Sequence, residues 1–346
     1  MKISNYSLFK NSTKILLCPL FIFLSQLSIA QDIHFSQFMY SPLTLNPAQT
    51  GNFKGSYRLV SNFRRQWSSI TIPYQTFGFS ADARDFRRVK NLGAGMSMYY
   101  DKTGDSHFST LAVNLSASYR FIFNNVKPEF VTIGIQGGFT QRRIDYSNLS
   151  FDNQYNGFYY DPSIPSVETF ANAGRIYPNL NVGINYTKYF EKRKSFTGGI
   201  ALFNITKPGQ SFFNENEIKL DRRLGMNLGL QYQIGDKWDL LPASSFMIQG
   251  TYKEFILGSA LKYILADNKR EYRAVYVGAW GRAKDAGFIS LGMDYDEWYF
   301  GVSYDINMSN LRPASNGRGG FEVSIIYIVP PYLPKRLKYK ICPDFM

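Results

Sequence analysis

The sequence predicts an all-β fold: a transmembrane antiparallel β-barrel of about 14 strands, preceded by a short N-terminal plug or rim segment. Three observations carry that prediction. Apolar and polar residues alternate with strand period along most of the chain. From Thr110 to Phe121, for instance, Leu111, Val113, Leu115, Ala117, Tyr119 and Phe121 share one face, and Thr110, Asn114, Ser116, Ser118 and Arg120 share the other. No long helical segment is available to cover the apolar face, which leaves lipid as its natural neighbour. Aromatic residues are abundant, with 29 Phe, 25 Tyr and 4 Trp. The tyrosines recur near strand ends, where interfacial girdles sit. A large soluble sandwich is the bland competitor, because its strands would alternate too.

The first element is not part of the barrel. Residues 1–30 read as a secretory signal: Lys2, Lys10 and Lys14 with no acid, the apolar stretch from Ile15 to Leu24, then Ser28-Ile29-Ala30 before Gln31. Cys18 sits inside the apolar stretch instead of after small residues at its end, which argues against a lipid anchor. Removing the signal leaves Cys342 alone and no intrachain disulfide. No later stretch offers the roughly 18 apolar residues of a membrane helix. Residues 31–55 follow as a periplasmic or plug segment, which either folds back into the lumen, rests at the rim or simply leads into the first strand.

Strands are expected at 56–63, 76–83, 92–100, 108–121, 130–142, 178–189, 196–203 and 224–234, and then at 246–252, 255–263, 272–280, 288–295, 298–306 and 321–328. The number is even, as in single-chain bacterial barrels, so both termini are expected on the periplasmic side of an outer membrane. The barrel occupies 56–329 and a periplasmic tail 330–346. Longer connections fall mostly at alternate positions, at 66–75, 144–177, 204–223 and 307–320, and are expected outside the cell. The others are shorter and rich in turn formers, such as Asn124-Asn125 and Ala266-Asp267-Asn268. Two connections fit poorly: the long 235–245 on the periplasmic side and the tight Lys253-Glu254 on the outer side.

Several segments together resemble the PorP/SprF family of outer-membrane proteins associated with type IX secretion. The segment from Gln31 to Tyr40 (QDIHFSQFMY) with Leu45-Asn46-Pro47-Ala48 is similar to the family opening, and Arg65-Gln66-Trp67 with Ile72-Pro73 follows in the same style. Near the C-terminus, Gly301-Val302-Ser303-Tyr304-Asp305 leads into the run from Leu311 to Glu322, the strongest single match. Cys342-Pro343-Asp344-Phe345 is similar to the family ending, with Asp344 where a basic residue is common. The resemblance implies a non-catalytic barrel of type IX secretion that supports export or surface anchoring of secreted proteins or adhesins, with gliding motility among the associated processes. It implies as partners outer-membrane lipid, periplasmic secretion components and, for some members, a secreted adhesin or other surface client. The alternative is an outer-membrane channel or hydrophobic-solute transporter.

Candidate sites follow from position. Arg64, Arg65, Gln66 and Trp67 lie at the first outer loop, where Arg65 and Trp67 could grip a partner or act as girdle anchors. The longest loop carries Tyr155, Phe158, Tyr159 and Tyr160, a composition common in adaptable binding loops. Lys335, Arg336, Lys338 and Lys340 mark the tail. Asn114, Arg120, Asn185, Arg223, Asn227 and Gln231 are expected to line a wet lumen.

No cofactor, metal or catalytic residue is expected. His34 and His107 are the only imidazoles and are placed on opposite sides of the membrane. The run Asn316-Gly317-Arg318-Gly319-Gly320 precedes a strand and not the helix that a phosphate cradle needs. Removing the three signal lysines from 39 basic residues leaves 36 against 26 acidic ones, a net charge of about +10 that suits anionic neighbours. Nucleic acid is not implied, since the basic residues are scattered over loops.

Overall fold

The computed structural model describes residues 34–66, 72–104, 107–166, 172–213, 217–268, 271–309 and 312–331. The signal region, Trp67, Cys342 and the tail lysines and arginine therefore lie outside the described residues. Among those described, fourteen strands close into one antiparallel barrel. They are β1 Tyr57–Gln66, β2 Tyr74–Ala83, β3 Leu92–Thr103, β4 Phe108–Asn124, β5 Glu129–Arg143, β6 Gly174–Glu191 and β7 Lys194–Phe203. The second half comprises β8 Arg223–Gln233, β9 Trp238–Gln249, β10 Tyr252–Asp267, β11 Tyr272–Arg282, β12 Ala286–Tyr295, β13 Trp298–Asn307 and β14 Arg318–Val329. Each strand pairs with its sequence neighbours, and β1 closes on β14 from Tyr57↔Val329 to Gln66↔Gly320. Closure leaves no sheet edge, which lets a sheet exist in lipid at all.

The alternation seen in the sequence is inverted relative to a soluble core. Along β4 the buried positions are the polar ones, Asn114, Ser116, Ser118 and Arg120, whereas Leu115 is 69 % exposed and Tyr119 and Phe121 face outward. On β13, Ser303, Asp305 and Asn307 point in while Val302, Tyr304 and Ile306 point out. An exterior of this kind is stable only against hydrocarbon, and a charge placed on it at the bilayer midplane would cost about 2–4 kcal/mol. Exposed Tyr57, Tyr232, Trp238, Tyr295 and Trp298 cluster at one rim, with Trp298 stacked near Phe300 and Tyr327. This is the arrangement of an interfacial girdle.

The two rims differ. One carries the connections 67–73, 144–173, 204–222 and 308–317; the other carries the connection 84–91 and otherwise short turns such as 125–128, 192–193 and 296–297. The two awkward connections disappear. Residues 238–245 belong to β9, so the β8–β9 turn is only 234–237, and Lys253 and Glu254 belong to β10, with Gly250 and Thr251 making the turn. The sequence hid this extension behind Pro242, which β9 tolerates because its ladder to β8 is interrupted there, between Gly229↔Ala243 and Tyr232↔Leu240.

The N-terminal segment, residues 34–52, runs through the lumen as short turns: a 3-10 turn Phe38–Tyr40, a one-turn helix Pro42–Leu45 and a second 3-10 turn Pro47–Gln49. Asn46 caps the last of these by accepting Ala48 N at 2.9 Å, with Pro47 in the first position. The segment starts at the loop rim, where Arg64 donates to His34 O, and ends at the short-turn rim, where Arg120 donates to Gly51 O. His34 thus lies at the same rim as His107, not on the opposite side, because the leader traverses the barrel before β1 begins.

Candidate functional site

The feature the fold builds most elaborately is the seat of this leader in the lumen, and it has three tiers. At the loop rim a group of buried charges holds the first turn. Glu322 accepts Ser36 N at 2.8 Å and Gln37 N at 2.9 Å. Ser36 Oγ donates to Asp305 at 2.8 Å and accepts from Arg282 at 2.7 Å. Arg64 lies 3.3 Å from Asp305, Arg282 lies 3.6 Å from Glu254, and His34 Nε2 is 3.0 Å from Glu254. Arg64, Arg282, Glu254, Asp305 and Glu322 are all buried. Groups of both signs are needed there, since removing one partner of a buried pair leaves a charge uncompensated.

The middle tier is polar and tightly fitted. Asn46 Nδ2 donates to Ile184 O at 3.2 Å, Gln49 Nε2 to Asn185 Oδ1 at 3.0 Å, and Gln136 Nε2 to Leu43 O at 3.3 Å. The approach depends on missing side chains. A Cβ on Gly183 would stand 2.0 Å from Asn46 Oδ1, and one on Gly134 would stand 2.4 Å from the Pro47 carbonyl. Both glycines occupy inward strand positions, where any other residue would push the leader off the wall. A small apolar patch completes the tier, with Phe38 edge-on to Trp280 at 5.8 Å and against Ile256 and Phe288.

At the short-turn rim Asp82 accepts Gly51 N at 2.7 Å and both Nε and Nη2 of Arg58, at 2.9 and 2.8 Å. Arg58 also donates to Gln49 O, and Ser118 Oγ donates to Thr50 O at 2.6 Å. The bidentate pair is the strong form of such contacts.

The residues named from sequence fall as follows. Asn114, Arg120, Asn185, Arg223 and Asn227 are buried at inward positions. Asn227 Oδ1 accepts from Asn46 at 3.4 Å, Arg223 donates to Thr44 O at 3.4 Å, and Gln231 donates to Asp239 at 2.9 Å. Arg65 is exposed at the loop end of β1. Its neighbour Arg64 belongs to the lumen and not to the first outer loop, because strand alternation carries it to the opposite face. Tyr155, Phe158, Tyr159 and Tyr160 share the 144–173 connection; Tyr155 bridges Tyr160, and Phe158 is 90 % exposed. That connection is tied to 204–222 by Asn172 donating to Phe212 O, and Arg142 at the end of β5 donates to Gln210 of the same loop. Apart from those named residues, Lys192 and Arg193 of the β6–β7 turn are engaged with Asp267 and Asp239 at the short-turn rim. Trp67, Lys335, Arg336, Lys338 and Lys340 lie outside the described residues.

Sequence reasoning missed Arg58, Asp82, Glu254, Arg282, Asp305 and Glu322. The available signal was a charged residue at an inward-phase position of an alternating strand. No group of three or more His, Cys, Asp or Glu suited to a metal occurs among the described residues.

Fold and lumen together define a class: a closed membrane β-barrel with an apolar exterior that carries its own leader inside. The chain belongs to the family described as type IX secretion system membrane protein PorP/SprF, which matches residues 27–327. This is the family that the segments at both ends resemble. Its fold and family are those of a non-enzymatic membrane barrel, and they fit the outer membrane. No curated protein matches the chain. Among solved structures, the Pseudomonas putida toluene transporter TodX is similar at 11 % identity and a TM-score of 0.46, over 86 % of this chain and 94 % of that one. The CymD monoaromatic hydrocarbon channel is similar at 11 % and 0.45, over 85 % and 94 %. A Pseudomonas aeruginosa FadL homologue is similar at 13 % and 0.40, over 82 % and 92 %.

Proposed function

We propose that this chain is a non-catalytic outer-membrane component of type IX secretion that supports export or surface anchoring by docking other proteins at its two rims. The observation that carries this reading is the lumen. A passage held by three tiers of hydrogen bonds and ion pairs to the chain's own leader is poorly suited to conducting a protein client, so contacts at the rims are the natural means of action. The loop rim, with its exposed aromatics on 144–173 facing the cell exterior, takes the exported adhesin or other surface protein. The short-turn rim faces the periplasm. There the basic tail with Lys335, Arg336, Lys338 and Lys340 follows Pro330-Pro331 and supplies a salt-sensitive attraction to a periplasmic secretion component.

The test is deletion of the gene followed by an inventory of surface proteins. Loss of one or more surface proteins is expected. Unchanged surface proteins with failed uptake of a nutrient would instead establish the solute-transporter reading. Truncation after Val329 separates the two rims: the barrel should assemble and display should fall, whereas normal export from the truncated barrel would rule out docking through the tail.

A further inference from the structure

Where the leader leaves the lumen, at 52–54, a cavity of about 370 Å³ opens between the turns 125–128 and 192–193. Its volume is within the range of roughly 300–1,000 Å³ typical of small-ligand sites. Phe53, Phe130 and Tyr189 give it aromatic walls. Its charge is one-sided. Lys54, Arg120 and Lys127 line it with no acid paired to them among the described residues. Glu191 is held by Lys194 at 2.9 Å, and Lys192 by Asp267 at 2.9 Å.

Arg120 is the informative group. It is only 6 % exposed, it gives Nη2 to Gly51 O at 2.7 Å, and its guanidinium lies 4.8 Å from the centre of the Phe130 ring. Its Nε has no hydrogen-bond partner among the described residues. Its guanidinium forms part of the cavity wall with Lys54 and Lys127, and three cations without a paired acid favour an anion there. The larger neighbouring cavity, of about 560 Å³, shares Lys54 and Lys192 with this one, but its six carboxylates outnumber its four cations, and Arg193, Lys192 and Lys262 are paired there with Asp239, Asp267 and Asp294, so it favours an anion less. The anion-accepting half of the vestibule is therefore distinct.

We propose that this cavity is a binding site for a small amphiphile with an anionic head on an apolar stem. Arg120, Lys54 and Lys127 take the head, and Phe53, Phe130 and Tyr189 flank the stem. A free carboxylic acid and a lysophospholipid share this chemistry.

The experiment uses the full chain in lipid nanodiscs. Isothermal titration with dodecanoate, lysophosphatidylglycerol and dodecanol is corrected with empty discs. One saturable site is expected for an anionic probe, with dodecanol at least about tenfold weaker. A tighter dodecanoate identifies a free acid as the ligand, and a tighter lysophosphatidylglycerol a lipid headgroup. Arg120→Gln should weaken the anion about tenfold and Lys127→Gln about threefold. Since Arg120 also holds the leader, Lys54→Gln and Lys127→Gln, both at the surface, carry the test if the first variant fails to fold. Binding no greater than to empty discs, equal binding of dodecanol, or lysine variants indistinguishable from the parent would overturn the proposal.

Discussion

At the scale of single residues, the decisive contrast is between positions that the alternation explains and positions that only the leader explains. Asn114 and Asn185 were legible as inward because they share a phase with other polar residues. Gly134 and Gly183 share that phase too, but their purpose depends on Asn46 and Pro47 lying against them, which no local pattern reveals. Gly183→Val should therefore leave the barrel closed while displacing the leader, at an overpacking cost of about 1–3 kcal/mol. Hydrogen exchange at the Ala48 and Thr50 amides should quicken by about tenfold or more with the strand amides unchanged; unchanged protection at both amides would refute the seat. A second residue-scale expectation concerns the long loop. Asp161 accepts the Ser163 hydroxyl at 2.6 Å and its amide at 2.9 Å, and these bonds hold its carboxyl below the ordinary range. A depressed folded value stabilises the turn above the unfolded value and is lost as pH falls through the folded one. The Ser163 amide signal should accordingly titrate with a midpoint below about 3.9, the ordinary aspartate value. A transition at or above that value would show that the turn does not stabilise the charged form.

Elements were legible to different degrees, for physical reasons. All fourteen strands show their period in the sequence, but β9 and β10 were cut short because Pro242 and the Lys253-Glu254 pair look like punctuation. In a barrel, an interrupted ladder on one side of the strand and an inward-facing carboxylate accommodate both. The leader was legible as a distinct segment with a turn at Asn46-Pro47. Its path was not, because its anchors lie far off in the chain: Ser36 meets Glu322 across 286 positions. The element-scale prediction is that the buried charges at the loop rim act as a latch. Arg282→Met leaves Glu254 and Asp305 without their shared cation and should destabilise the leader's first turn by about 3–5 kcal/mol. In planar bilayers that variant should conduct more than the parent, and adding Glu254→Gln should restore part of the block by removing one of the stranded charges. Equal conductance in parent and single variant would show that the latch does not control the lumen.

For the whole molecule, the apolar exterior and the closed hydrogen-bond ladder act together, and a measurable property follows from each. Closure makes unfolding all-or-none in detergent, so the purified protein should migrate faster unheated than heated and show mainly strand circular dichroism; a mainly helical spectrum would contradict the fold. The asymmetry of the rims supports the proposed orientation, with the loop rim outside. The longest, aromatic-bearing connections at one rim and mostly short turns at the other match the pattern in which extended loops face the cell exterior. The 144–173 connection is the longest of these, and Asn156 sits at its exposed tip beside Phe158, accepting the amides of Phe158 and Tyr159 at 3.0 Å. A short epitope tag inserted after Asn156 tests the orientation directly, because the tip lies outside every strand among the described residues and the insertion leaves the barrel ladder intact. Antibody should label the tag on intact cells without permeabilisation, and the tagged protein should retain its heat-dependent migration. A tag reached only after the outer membrane is opened, in protein that still migrates as a folded barrel, would reverse the assignment of both rims and place the aromatic loop in the periplasm.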